Sequence, residues 1–332
     1  MPSEKLSISQ WESFQSERGR SGNLLGHTPG DLNHRGQESL SEAVQSMGGL
    51  QTWKLTIAYD GTGFSGWQVQ PGEVTVQGEL QGALRRVTGE GPLPQGSGRT
   101  DAGVHALGQV ASFELAAPIP ADNLQRALNR TLPPAIRVVD ARRMRNGFHA
   151  RHTTIAKTYE YRVFQETICP PFLARYVYAC AWPMDLGALQ DAARQFLGEH
   201  DFLSFAATDP DVTARKGGVS EECDGEEAVG AGTIGLGKGT VRRVFSSQWE
   251  RVESDAGRLL IYRVRGNGFL HHMVRNLVGT MLDVGRGKTK GSEIRAIMAA
   301  RAREAAGPTA PAQGLFLKSV EYPEGFEVGD GV

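Results

Sequence analysis

Gly98-Arg99-Thr100-Asp101-Ala102-Gly103-Val104-His105-Ala106-Leu107-Gly108-Gln109-Val110 is the run on which the reading of this chain turns. Gly98, Gly103 and Gly108 punctuate it, so it reads as a loop between strands. It presents one carboxylate, Asp101, beside one guanidinium, Arg99. Loops carried on a rigid scaffold are where catalytic groups concentrate. The plainer alternative is a structural turn in which Thr100 or Asp101 caps the next element.

Outward from this loop, apolar periodicity alternates between strand and helix. Trp53 to Tyr59, Gln109 to Leu115, Ile136 to Asp140 and Lys157 to Phe164 predict strands. Val241 to Glu250 and Leu259 to Val264 read as a strand pair, and Leu315 to Tyr322 as a last strand. Val76, Leu80, Leu84 and Val87 fall at helical spacing behind Thr75, a plausible N-cap. Asp122 is expected to cap a helix carrying Leu124, Ala127 and Leu128. Leu186, Leu189, Ala193 and Leu197 mark another helix, and Val274, Leu277, Val278, Met281 and Leu282 a strongly amphipathic one. Strands adjacent in sequence favour antiparallel pairing and an α+β class over a doubly wound sheet. The expected organisation is a disordered extension over 1–50, one half over 51–155, a second half over 156–323 and a tail over 324–332. Residues 211–239 combine an acidic run with a Gly-rich run and predict a disordered insertion in the second half.

The 332 residues suggest about two domains, with 39% apolar residues to build their core. No apolar stretch approaches the roughly 18 residues that span a bilayer, and the first residues lack the apolar run of a secretory signal. Cys169, Cys180 and Cys223 are odd in number and far apart, which fits a reducing cytoplasm rather than a disulfide framework. The net charge of −1 hides a partition. Residues 1–50, 208–240 and 319–332 carry −2, −4 and −4, leaving the rest at +9. Residues 241–318 alone hold 14 Lys/Arg against 6 Asp/Glu. Such a body suits a polyanion such as nucleic acid, or forms an ordinary solvated basic surface.

Three motifs are set aside. Gly230, Gly232 and Gly235 satisfy a dinucleotide-type glycine spacing, but no strand precedes them and no helix follows. Gly232, Gly237 and Lys238 nearly spell a phosphate loop, yet Gly239 stands where a hydroxyl must follow. His271 and His272 are adjacent, whereas helical metal pairs sit four residues apart, so no metal site is expected there. His149, His152 and His200 read as structural.

The loop 98–110 closely resembles the catalytic motif of the TruA-type tRNA pseudouridine synthases. Tyr59-Asp60-Gly61 with Gly66-Trp67-Gln68, Phe148-His149-Ala150-Arg151 and Lys157-Thr158-Tyr159-Glu160-Tyr161 resemble further markers of that family. So do His271-His272-Met273-Val274-Arg275-Asn276 and Gly314-Leu315-Phe316-Leu317, and the order holds from about 53 to 322. The resemblance implies an α+β pseudouridine-synthase fold of two RRM-like halves with largely antiparallel sheets and flanking helices. It implies isomerisation of uridine to pseudouridine at positions 38, 39 and 40 of the tRNA anticodon stem-loop, by a cytoplasmic homodimer. It implies no metal, organic cofactor or ATP. Asp101 matches the nucleophile, with attack at sugar C1′ or base C6 both chemically open. Arg275 matches the cation beside it, on a helix face turned away from Val274, Leu277 and Val278. Tyr159 matches the ring that stacks on the flipped uracil, and Arg99 the side chain that fills the vacated stack or holds the displaced backbone. Arg142, Arg143, Arg145 and Arg151 are candidates for phosphate contacts.

Three other readings compete. One is an RNA-binding module that keeps the fold without catalysis, which the intact Arg99-Thr100-Asp101 run argues against. Another is a hydrolase using paired carboxylates, but no second acid lies at a fixed spacing from Asp101. The third is a related synthase acting on other RNA.

Overall fold

The computed structural model describes residues 49–207 and 239–328. Nearly all of the 1–50 extension and the 211–239 insertion lies outside the described residues. The described residues begin with strand β1 (Gln51–Tyr59), then helix α1 (Val76–Thr88), β2 (Gln95–Gly96), β3 (His105–Leu115), α2 (Ala121–Thr131) and β4 (Ile136–Met144). The second half runs through β5 (Ala156–Phe164), the short α3 (Pro171–Ala174), β6 (Tyr178–Ala179), α4 (Leu186–Arg194) and β7 (Gly198–Asp201). A long hairpin of β8 (Val241–Ser254) and β9 (Gly257–Gly266) follows, then α5 (Met273–Gly285), α6 (Ile294–Ala300) and β10 (Leu315–Glu321).

The strands form one 10-stranded sheet in the order β4-β1-β3-β10-β5-β9-β8-β7, with β2 on β3 and β6 on β5. The joint between halves is β10, antiparallel to β5 and parallel to β3 at Phe316–His105 and Leu317–Ala106. The last described strand in sequence thus lies between the third strand of the first half and the first strand of the second. Most other pairs are antiparallel, as adjacent strands predict. Trp53, Leu55 and Ile57 of β1 alternate inward onto Leu80 and Leu84 of α1 and Leu124 and Leu128 of α2. Tyr161 and Val163 of β5 and Leu260 and Tyr262 of β9 do the same toward Leu189 of α4 and Leu277 and Met281 of α5. These residues belong to one continuous core. A smaller cluster of Val110, Met144, Phe148 and Ala150 is covered by Tyr322 and Phe326, so residues 324–328 of the tail are part of the fold.

Several local expectations need correction. Thr75 caps α1, accepting from the Gly78 amide at 3.3 Å, but Pro120 and not Asp122 occupies the N-cap of α2. Pro fixes the extended backbone needed there, and Asp122 sits in the first turn, where its charge meets the helix dipole. Leu197 lies beyond the end of α4 and is exposed. Half of the run read as a loop is strand, because β3 begins at His105.

Candidate active site

The loop between β2 and β3 carries Asp101, and nearly every contact that holds it comes from the N-terminal half. The Trp67 amide donates to the Thr100 carbonyl at 3.0 Å, and the Gly103 amide to the Phe64 carbonyl at 3.4 Å. The buried Tyr59 hydroxyl lies 2.8 Å from the Thr100 hydroxyl. Gln109 Nε2 donates to the Gly98 carbonyl at 2.9 Å while its Oε1 accepts from the Ser97 hydroxyl at 2.7 Å. Gly66 has φ +88, and a Cβ there would stand 2.6 Å from the Thr100 carbonyl oxygen. Only glycine allows both that backbone and that approach. Lys157 of β5 donates to the Ser97 carbonyl at 2.5 Å and pins the loop from the second half. Burial, with Arg151 and Arg242 nearby, pulls the Lys157 ammonium down to about 8.

The C-terminal half supplies the cation. Arg275, on the first turn of α5, donates through Nη1 to Asp101 Oδ2 at 2.9 Å and through Nε to the Ala310 carbonyl at 2.8 Å. The two side chains are 15% and 19% exposed, so the pair is screened from water on most sides. The fully buried Asn276 fixes this end of the helix. It donates to the Phe205 carbonyl and accepts from Arg303 and Thr309. Arg275 therefore points away from the apolar stripe of α5, as its position predicted, but it is held against Asp101 rather than left to solvent.

Tyr159 is buried, with its ring centroid 5.1 Å from that of Phe269 in an edge-on contact. Burial raises its phenol well above the ordinary value, and the nearby Asp101 carboxylate adds to that rise. Its hydroxyl therefore stays protonated across the neutral range. The structure thus brings together Asp101, Arg275 and Tyr159. Arg99 lies on the same loop, two residues before Asp101, and is exposed. Of the other arginines, Arg142 pairs with Asp140 and Glu327, and Arg143 lies over the Trp53 ring, donating to the Ile119 carbonyl. Both therefore already have protein partners, while Arg145 and Arg151 lie exposed on the surface.

The adjacent histidines, set aside above as a metal pair on helical spacing, nevertheless converge on Asp101. His272 is the N-cap of α5 and has φ 59, ψ 0, so the helical spacing rule does not reach it. The left-handed kink turns both rings toward the loop. His271 Nε2 lies 3.6 Å from Asp101 Oδ1, and His272 Nε2 lies 3.4 Å from Asp101 Oδ2. The ring centroids lie 4.0 Å apart, with the planes tilted by 32°. The three ligand-type atoms lie within 4.8 Å of one another, close enough to share a cation. The Arg275 guanidinium on Asp101 Oδ2 opposes a divalent ion at that spot. Sequence reasoning also passed over Tyr59, Gln109 and Lys157, whose side chains shape the loop. All three fell within quoted stretches, but nothing in their spacing marked them as shaping the loop.

A family model described as tRNA pseudouridine synthase matches residues 55–152 and 221–323, most of the chain and both sides of the site. This chain belongs to the tRNA pseudouridine synthase family. It is 47% identical over 269 residues to tRNA pseudouridine synthase A of Solibacter usitatus, covering 81% of this chain and 98% of that protein. The protein of the same name from Maridesulfovibrio salexigens is 40% identical over 83% of this chain and 92% of its own length. That from Brevibacillus brevis is 41% identical over 82% of this chain and 100% of its own. Membership makes the chain an isomerase acting on tRNA uridine. Among the described residues no helix is long and apolar enough to cross a membrane.

Proposed function

We propose that this chain converts uridine to pseudouridine at positions 38, 39 and 40 of the tRNA anticodon stem-loop, with Asp101 as nucleophile. The observation that carries the assignment is the Asp101–Arg275 pair, a carboxylate and a guanidinium 174 residues apart in sequence and 2.9 Å apart in the fold. The guanidinium donates to the carboxylate and fixes its position by a charge-assisted hydrogen bond. The reaction breaks the N-glycosidic bond, turns the freed uracil and rejoins it through C5. It is redox-neutral, so it needs no oxidant, reductant or group donor. A target base stacked in the stem must first be flipped out, at a few kcal/mol. Arg99, exposed beside Asp101, is placed to occupy the vacated stack or grip the displaced phosphate. Tyr159 offers a ring to the flipped uracil, a contact worth about 1–3 kcal/mol.

The two halves, 51–155 and 156–323, divide the work. The first shapes the Asp101 loop, and the second supplies Arg275, Tyr159 and the basic surface of 241–318. The enzyme works in the cytoplasm as a homodimer in this reading. The direct test is Asp101→Asn, which keeps the shape of the side chain and removes its charge. Turnover, read as tritium release from C5-labelled tRNA, should vanish while tRNA affinity stays within about tenfold, or roughly 1.4 kcal/mol. Residual turnover above about one per cent of the parent enzyme would remove Asp101 from this role. Mapping pseudouridine in tRNA from a deletion strain tests positions 38, 39 and 40.

A further inference from the structure

Pseudouridine formation ends with a proton transfer from carbon. Once C1′ is joined to C5, that carbon bears both the sugar and its original hydrogen, and C6 is doubly bonded to N1. The C5–H bond must break, with its electron pair forming the C5=C6 bond. The C6=N1 pair then moves onto N1, which takes up a proton. A base must receive the C5 proton. Arg275 cannot act as one, because a guanidinium has no accepting lone pair. Tyr159 is held protonated by burial, with the nearby Asp101 carboxylate adding to it.

The structure assigns this proton to His272, a reading that rests on the uridine isomerisation with Asp101 as nucleophile. Its Nε2 lies 3.4 Å from Asp101 Oδ2, directly beside the nucleophile. Its backbone sits at φ 59, and a non-glycine residue there carries strain that the fold must oppose. That backbone turns the imidazole toward the Asp101 loop. The groups facing it are Asp101 from the loop, His271 and Arg275 from its own segment, and Arg303 from the turn after α6. Burial, reinforced by His271, Arg275 and Arg303 against the opposing pull of Asp101, holds the imidazole below its ordinary value. It is thus neutral at pH 7 and able to accept. The C5 proton moves to the imidazole, and N1 takes its proton from water or from the imidazolium, so charge and atoms balance.

The test uses full-length tRNA carrying 5-deuterio-uridine or ordinary uridine at the target. His272→Asn tolerates the left-handed backbone, and His272→Gly relieves it. Both should lose about 100-fold or more in kcat with KM little changed, and both should show a primary isotope effect larger than the parent enzyme's. The parent's kcat should fall below the ordinary imidazole range while its isotope effect rises, and the variants should lack that limb. This arm needs no variant to fold. A 5-fluorouridine tRNA, which has no C5 proton to lose, separates the steps. The His272 variants should rejoin the base to the sugar at the parental rate, and Asp101→Asn should not react. Unchanged kcat and isotope effect in the variants would overturn the assignment. So would an equal loss on the fluorinated substrate, or a parental isotope effect that stays flat with pH. Reaction of Asp101→Asn with that substrate would instead refute the nucleophile.

Discussion

Gly61 is the position at which the smallest possible change should disturb the chemistry most. It opens the short turn Gly61–Gly63, and its amide donates to His105 Nδ1 at 3.0 Å. A Cβ at Gly61 would stand 2.1 Å from the Val104 carbonyl oxygen, where ordinary contact begins at 3.4 Å. The methyl of Gly61→Ala is therefore too close by about 1.3 Å, and the obstacle is backbone, which cannot swing aside. The Val104 amide is bonded to the Asp101 carbonyl at 3.1 Å, so relief must pass into the catalytic loop. A displacement near 1 Å at a reacting group costs about 100-fold in rate, or roughly 2.7 kcal/mol of barrier. Overpacking should also lower stability by about 1–3 kcal/mol. Gly63→Ala is the control, because it lies in the same turn and a Cβ there meets nothing within 4 Å. Single-turnover rates on full-length tRNA should be measured well below both melting temperatures. The expected result is a roughly 100-fold slower rate for Gly61→Ala, near-parental rate for Gly63→Ala, and similar tRNA affinity. Rates for the two variants within about threefold of each other would refute the argument that loop position controls the chemistry.

Arg275→Met should abolish turnover and lower stability, since breaking a largely buried ion pair leaves an uncompensated carboxylate and costs about 3–5 kcal/mol. Arg275→Lys should not rescue, because one ammonium cannot reach both Asp101 and the Ala310 carbonyl as the guanidinium does; parental kcat in the Lys variant would contradict this. Burial works to raise the Glu160 carboxyl, but Arg162, Arg263 and Lys318 outweigh it and hold it down at about 2, against 4.5. A depressed acid stabilises the fold above its unfolded value, so Glu160 should contribute about 3 kcal/mol at neutral pH, lost as pH falls from 4.5 through 2. Denaturant titrations should find Glu160→Gln weaker by about that amount at pH 7 and close to the parent near pH 2, and an equal deficit at both would exclude the linkage. Affinity for tRNA should fall steeply with salt as phosphate contacts release counterions; a flat plot of log affinity against log salt would exclude docking dominated by the 241–318 basic segment.

The α+β class, most strands and the motifs that mark the family were legible in sequence because each is local. Strand alternation, helical period and the Thr75 cap involve residues a few positions apart. Asp101, Arg275 and Tyr159 were named by their motifs alone, and the fold brings all three to one place. Sequence could not say how the halves join, because β10 is paired to β3 and β5 by backbone hydrogen bonds that leave no pattern in side-chain chemistry. Nor could it show His271 and His272 meeting at Asp101. Helical spacing predicts divergence for adjacent residues, and only a left-handed backbone at His272, imposed by packing, reverses that rule. The sequence determined which chemical groups are present and most of the local structure around them. Tertiary structure decided which groups face one another, because distance and burial set charge interaction and neither is written in residue order.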